Sequence, residues 1–124
     1  MINPVGRWRI TWMETWDQDF VDLIEPGHFR FDDNGLGYFI FGAVEGQLDY
    51  RLSEEGKRID FTWSGNDEGD EKSGRGWFTF SSSRITKGYF FIHCGDESAL
   101  EIERQPLTIS PSNITAYCGS YTNI

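Results

Sequence analysis

Polar side chains with binding chemistry recur at alternate positions in two segments of the sequence. Asp49 and Arg51 are separated by one residue, and His93 follows Tyr89 and Phe91 at the same spacing. Residues two apart on a β-strand share a face, and an arginine guanidinium binds carboxylate or phosphate through two parallel hydrogen bonds. These residues predict polar anchors for an anionic ligand if their faces point into a cavity. If the faces point to solvent, the charged residues form surface ion pairs of little energetic value.

Aromatic residues, which make up 16% of the chain, are the candidate walls of such a cavity. Ligand pockets are lined mainly by apolar and aromatic side chains. The same rings also suit an ordinary core, because the interior of an eight-stranded barrel is just wide enough for its own side chains. Core packing is the favoured interpretation for most members of this set. Its members are Trp8, Trp12, Phe39, Phe41, Phe61, Trp63, Phe78, Phe80 and Phe90, together with the aliphatic Ile92.

Catalytic and metal-binding patterns are weak in this sequence. His93 and Cys94 are adjacent, but neighbours on a strand point to opposite faces, so they cannot act as a nucleophile and its base. The acidic segment 67–71 lacks the spacing of a calcium-binding loop, and runs of like charge are usually solvated. We therefore expect a non-catalytic protein with no cofactor and no metal site.

Charge, apolar runs and the first residues of the sequence each argue against a class of partner or location. The 124 residues include 11 Lys+Arg and 20 Asp+Glu, for a net charge of −9. A general nucleic-acid binder needs a basic face, so this net charge argues against that class of protein. No apolar run approaches the roughly 20 residues of a membrane span, which argues against a membrane protein. The first residues do not resemble a secretory signal. We expect a cytoplasmic protein in which Cys94 and Cys118 are free thiols rather than a disulfide.

Seven of the carboxylates are concentrated in residues 14–34. Such a surface attracts a basic protein partner, although solubility explains it equally well. The candidate partner surface combines three acidic and two apolar residues, namely Asp17, Asp19, Asp22, Phe20 and Leu23. This surface is the basis of an alternative function, that of an acidic interaction or inhibitor domain.

Period-two alternation of apolar and polar residues dominates the chain and predicts strands. About eight are expected, at 6–16, 28–31, 36–44, 47–52, 59–63, 75–81, 89–94 and 99–103. Asp17 is positioned to cap a short helical turn after the first strand, Glu45–Gly46 is expected to be a turn, and 64–74 a long polar loop. Trp8, Ile10 and Trp12 are expected on one face. Residues 1–104 then form the barrel domain, and 105–124 form either a C-terminal tail or an added edge strand.

The tripeptide Gly6-Arg7-Trp8 resembles the Gly-x-Trp signature of the lipocalin and calycin group. In that group the tryptophan plugs the closed end of the barrel and a ligand can enter the other end, so the resemblance implies that Trp8 is a barrel plug. Segments 42–51, 63–68, 73–77 and 91–96 resemble uncharacterised small bacterial proteins. This second resemblance implies a bacterial, cytoplasmic, stand-alone domain and brings no activity with it.

The expected fold is therefore all-β: an antiparallel meander of about eight strands closed into a lipocalin-like barrel. The expected function is binding of a small, partly apolar ligand in a lipocalin-like cavity. The predicted walls are Trp63, Trp77 and Phe91, and the predicted polar anchors are Arg51, His93 and Asp49. A protein of this kind is a monomer, or a homodimer if the barrel leaves a sheet edge open.

Overall fold

Alternating sequence patterns build eight antiparallel strands, each paired with the next, and the last strand pairs with the first to close the barrel. The computed structural model describes residues 3–81 and 84–106. The elements are β1 Gly6–Met13, α1 Gln18–Val21, β2 His28–Phe31, β3 Leu36–Phe41, β4 Val44–Leu52, β5 Arg58–Asp67, β6 Asp70–Thr79, β7 Ile85–Ile92 and β8 Glu97–Arg104. The predicted all-β barrel with a short helix after the first strand is confirmed.

Aromatic rings in mutual contact fill the inner face of the barrel. Phe29, Phe39, Phe61 and Phe78 are each at most 3% exposed. The centroids of their contacting rings lie between 5.0 and 5.7 Å apart. Aromatic pairs at such distances are worth about 0.5–1.5 kcal/mol beyond the area they bury. Of the two interpretations of the aromatic set, core packing therefore applies to these rings.

Inward-facing glycines make room for these rings. A Cβ added to Gly76 would lie 2.4 Å from Cζ of Phe61 and 2.4 Å from the carbonyl oxygen of Tyr89. A Cβ added to Gly46 would lie 2.8 Å from the indole of Trp63. Close packing leaves no space for an extra methyl group in such positions. The aromatic core therefore depends on the absence of side chains opposite its rings.

Trp8 lies buried at the end of the barrel where β1 begins and β8 ends. Its indole ring is 5.5 Å from that of Phe80, and its Nε1–H donates to the carbonyl oxygen of Pro4 at 2.9 Å. The guanidinium of Arg104 covers the indole at 4.4 Å and donates to the carbonyl oxygen of Val5. Trp8 thus ties the N-terminal segment to the end of the last strand.

The segment that follows β1 packs against the β3–β4 turn. Asp17 accepts a hydrogen bond from the backbone N–H of Phe20 at 2.9 Å and caps α1, as predicted. The ring of Trp16 lies 5.0 Å from that of Phe41. Gly42 has a φ of 57°, and a Cβ added there would lie 2.3 Å from the Phe20 ring. Gly42 therefore supplies both the left-handed turn and the space for the helix.

A bulge in β1 makes the predicted position of Trp12 wrong. The pairing of β1 with β8 shifts register between Ile10 and Trp12. Beyond the shift Met13 is 3% exposed, whereas Trp12 is 44% exposed. A bulge adds one residue to one strand, so the residues after it exchange faces. Simple alternation in the sequence does not reveal such an insertion.

Two predicted turns are also wrong in position. The β3–β4 turn is at Gly42–Ala43, where glycine supplies a positive φ, and Glu45–Gly46 lies within β4. Segment 64–74 consists of the ends of β5 and β6, which are joined at Glu68 and Gly69 with φ values of 53° and 90°. Two consecutive left-handed residues form a tight hairpin turn. Polar residues on both faces of this hairpin conceal its alternation in the sequence.

Residues 107–124 lie outside the described residues. The choice between a C-terminal tail and an added edge strand concerns that segment, and so does the pairing of Cys94 with Cys118. The last described strand ends at Arg104. Within residues 3–81 and 84–106, no helix has the length and apolar character needed to cross a membrane.

Substituting Gly76→Ala tests the packing of rings against glycine. We expect the free energy of unfolding to fall by about 1–3 kcal/mol, the usual cost of overpacking a core, as measured by urea denaturation. Gly69→Asn is the control, because nothing lies within 4 Å of a Cβ added at the hairpin tip and asparagine tolerates left-handed backbone. Equal losses in the two variants would contradict this account.

His28 makes stability dependent on pH. Its side chain is buried, and its Nδ1 lies 2.9 Å from the carbonyl oxygen of Pro26. Burial lowers the pKa of His28 below its ordinary value near 6.5, so the fold favours the neutral imidazole. This contribution is complete above the unfolded-state pKa of about 6.5 and is lost as pH falls below it.

We expect urea midpoints of the unmodified protein to fall between pH 7 and pH 5 more steeply than those of His28→Asn, which lacks this titration. The acidic residues are common to both proteins, so the difference between the two curves isolates His28. Parallel curves would show that His28 does not contribute.

Candidate functional site

The outer face of β4–β7 carries the polar and aromatic residues that alternate with the core. Cross-strand pairing aligns them in two neighbouring rows. Side chains in such rows are close enough to interact. The first row contains Asp49, Thr62, Arg75 and Phe91, and the second contains Arg51, Asp60, Trp77 and Tyr89.

Arginines lie over aromatic rings on this face. The guanidinium of Arg75 is 4.2 Å from the centroid of the Phe91 ring, and that of Arg58 is 4.7 Å from the Trp77 ring. Tyr89 lies between the two rings, 4.9 Å from Phe91 and 6.4 Å from Trp77. Each cation–π contact at an exposed site is worth about 0.5–1 kcal/mol. The rings thus hold the guanidinium planes against the sheet.

The carboxylates on the outer face, near the rings of Phe91, Tyr89 and Trp77, already have hydrogen-bond or ion-pair partners. Asp60 pairs with Arg58 at 3.0 Å, Asp49 pairs with Arg51, and Glu97 accepts a hydrogen bond from the Tyr89 hydroxyl at 3.0 Å. This hydrogen bond and burial raise the pKa of Tyr89, so the hydroxyl keeps its proton.

Arg75 makes no ion pair with any carboxylate in the described part of the chain. Its guanidinium is held over Phe91, and its polar edge is free to bind an anion. Two concavities, with volumes of about 380 and 630 Å³, are both lined by Thr62 and Arg75. The unpaired guanidinium therefore lies where two surface concavities meet.

The structure separates the predicted site residues into two groups. Trp63 points into the barrel, where it is 3% exposed and its ring lies 5.2 Å from that of Phe90. The other predicted walls and anchors lie on the outer face: Asp49, Arg51, Trp77, Phe91 and His93. The expected arrangement around one internal cavity is therefore not formed. The open alternative in which Asp49 and Arg51 pair at the surface is the one observed.

Sequence reasoning missed Arg75, which points outward from β6 on the same face as the predicted residue Trp77. Ser73, Arg75 and Trp77 alternate with Gly74, Gly76 and Phe78. This alternation was the available signal, but the glycines weakened it and the first part of the strand was interpreted as a loop.

No hydrogen bond joins His93 to Cys94 among the described residues, although both line the concavity that contains Arg75. Cys94 is exposed and has a φ of 58° in the β7–β8 turn. The nearby carboxylate of Glu97 accepts a hydrogen bond from the Tyr89 hydroxyl. Among the described residues, no group of three or more His, Cys, Asp or Glu side chains is arranged to hold a metal ion.

The acidic segment after β1 is only partly available to a partner. Asp22 binds both terminal nitrogens of Arg9 at 2.8 Å and also accepts from the backbone of Gly27. Burial alone raises the pKa of Asp22, but bonds from Arg9, Gly27 and Gln18 outweigh it and hold the pKa below its ordinary value. Asp22 therefore anchors its own loop.

The other members of the predicted partner surface are also only partly available to a partner, because some of them make contacts within the chain. Phe20 packs against Gly42, whereas Leu23 is 63% exposed. Asp17 and Asp19 are exposed, although Asp17 caps α1. Ile24, at 65% exposed, extends the apolar part of this surface.

Comparison with protein-family models, with curated proteins and with solved structures finds no match to this chain.

Proposed function

We propose that the protein is a non-catalytic module that binds a small, partly apolar anion on the outer face of strands β4–β7. The observation that carries this proposal is Arg75, which lies over Phe91 without a carboxylate partner in the described chain. Its planar fork of donors suits carboxylate or phosphate. The neighbouring rings of Tyr89 and Trp77 offer apolar contact to the rest of the ligand.

The outer face replaces the lipocalin-like cavity expected from the sequence. Contacting rings occupy the inner face of the barrel, and Trp16, Phe20 and Val21 pack against the β3–β4 turn at one end. A ligand would have to displace these rings, with the loss of core stability that such a change brings. Binding at Arg75 requires no such rearrangement.

We also propose that the chain is a lipocalin- or calycin-like module of the bacterial group that its sequence resembles. The eight-stranded barrel and the buried Trp8 at the start of β1 support this relationship. The four segments that carry the bacterial resemblance lie on β4–β7 and their turns. A cytoplasmic location remains part of the proposal. Closure of the barrel leaves no open sheet edge of the kind that a homodimer would use, so we propose a monomer.

Arg75→Gln tests the proposed site with benzoate and phenyl phosphate as probes. We expect both probes to bind the unmodified protein and the variant to bind them about 10–100-fold more weakly, the usual value of a charged hydrogen bond. Isothermal titration calorimetry measures the dissociation constants.

Arg7→Gln is the matched control, because Arg7 is an exposed arginine on β1 that also lacks an ion pair within the described residues. We expect it to leave both dissociation constants unchanged. Failure of both probes to bind the unmodified protein, or equal binding by Arg75→Gln, would overturn the proposal.

A second candidate function is docking of a basic protein partner on the acidic segment. Leu23 and Ile24 are the observation that favours it, since two large apolar side chains are exposed beside Asp19 and Glu25. Apolar residues surrounded by like charges are typical of a protein interface. The four bonds to Asp22 hold this segment in place.

The second candidate predicts a salt-sensitive complex. We expect a basic partner captured from lysate at low salt to be released as ionic strength rises, and capture to be lost with Leu23→Ser combined with Ile24→Ser. Arg75→Gln should leave this capture intact. Capture of a partner that is unchanged both by added salt and by the double substitution would contradict this candidate.

A further inference from the structure

A polar groove continues from Arg75 toward the tip of the β5–β6 hairpin. Its volume is about 670 Å³, within the range of small-molecule sites. It shares Ser73 and His93 with the concavity that contains Arg75. The two form one trough along the outer face. The side chains that characterise the groove are Tyr38, Glu45, Gln47, Asn66, Glu71 and His93.

Hydroxyl-binding groups predominate in this groove. The Tyr38 hydroxyl donates to one carboxylate oxygen of Glu45 at 2.8 Å, and burial together with Glu45 raises the pKa of Tyr38 to about 12. The other Glu45 oxygen, the Gln47 amide and the Glu71 carboxylate make no side-chain hydrogen bond within the described residues. Carboxylates accept hydrogen bonds from hydroxyls, and an amide both donates and accepts.

The charge pattern changes along the trough. Arg75 provides a cation at one end, whereas at the other end Glu45 and Glu71 provide hydrogen-bond acceptors beside Lys72. At about 3.3 Å per residue, some 13 Å separate Glu71 from Arg75 along β6, and these two residues line the two ends of the trough. A ligand that uses the whole trough therefore has an anionic group, several hydroxyls and a length greater than one sugar ring.

We infer that the ligand is an acidic saccharide of two or more sugar units, whose carboxylate or phosphate pairs with Arg75 and whose hydroxyls enter the groove beside Gln47. This inference rests on the proposed function of the outer face. An aromatic acid would use mainly the Arg75 end, because Tyr38 is the one aromatic ring in the otherwise polar lining described for the groove. A neutral saccharide would leave Arg75 without its anion.

Titration calorimetry with four probes tests this inference. Digalacturonate carries carboxylates, maltose 1-phosphate carries a phosphate, maltose is neutral, and benzoate has an anion without hydroxyls. We expect one or both acidic saccharides to bind at least tenfold more tightly than either maltose or benzoate. The comparison of digalacturonate with maltose 1-phosphate identifies which anion Arg75 prefers.

Gln47→Ala separates the groove from the Arg75 site. We expect it to weaken the preferred acidic saccharide roughly two- to tenfold, as loss of an uncharged hydrogen bond does, and to leave benzoate binding unchanged. Thr79→Ala, exposed on β6 outside the trough, is the matched control and should change neither. Circular dichroism checks that both variants fold.

The outcomes distinguish failure of this inference from failure of the proposed function. Benzoate binding that depends on Arg75, with no tighter binding of either acidic saccharide, overturns the inference and leaves the proposed function in place. A dissociation constant for the acidic saccharide that Gln47→Ala leaves unchanged also overturns the inference. Absence of Arg75-dependent binding by every anion overturns both.

Discussion

The packing of aromatic rings against inward-facing glycines is the constraint on which the rest of this structure depends. Gly46 faces Trp63, Gly76 faces Phe61, and Gly88 faces Phe78 at distances that exclude a Cβ. The rings therefore occupy the inner face as a packed core, as small eight-stranded barrels permit. Because a strand has only two faces, the residues left for binding are those that point outward from the same strands.

The outer face of β4–β7 differs from an ordinary solvated surface in the arrangement of its charges. Asp49 and Asp60 are paired with nearby arginines, whereas Arg75 lies over an aromatic ring without an ion pair in the described chain. Exposed ion pairs contribute little to stability, so the ion pairs of this face are not explained by fold stability. The ring of Phe91 holds the Arg75 guanidinium at the position where we propose that an anion binds.

The sequence predicted the fold far better than the site. Alternation around Phe29 and Phe61 predicts strands, because one buried face imposes period two. The bulge before Trp12 and the turn at Gly42 depended on tertiary pairing with β8 and on the ring of Phe20, which no local pattern contains.

The site was harder to predict because orientation relative to the barrel decides it. Trp63 and Trp77 lie on neighbouring strands and are both predicted walls of one cavity, yet they point to opposite sides of the sheet. The most direct test of the central claim is chemical-shift mapping of 15N-labelled protein with phenyl phosphate. The account predicts shifts of the Trp77 indole and the Arg75 side chain, with the Trp8 indole unchanged. Shifts centred on the amides of Phe29 and Phe61 would place the ligand inside the barrel and contradict it.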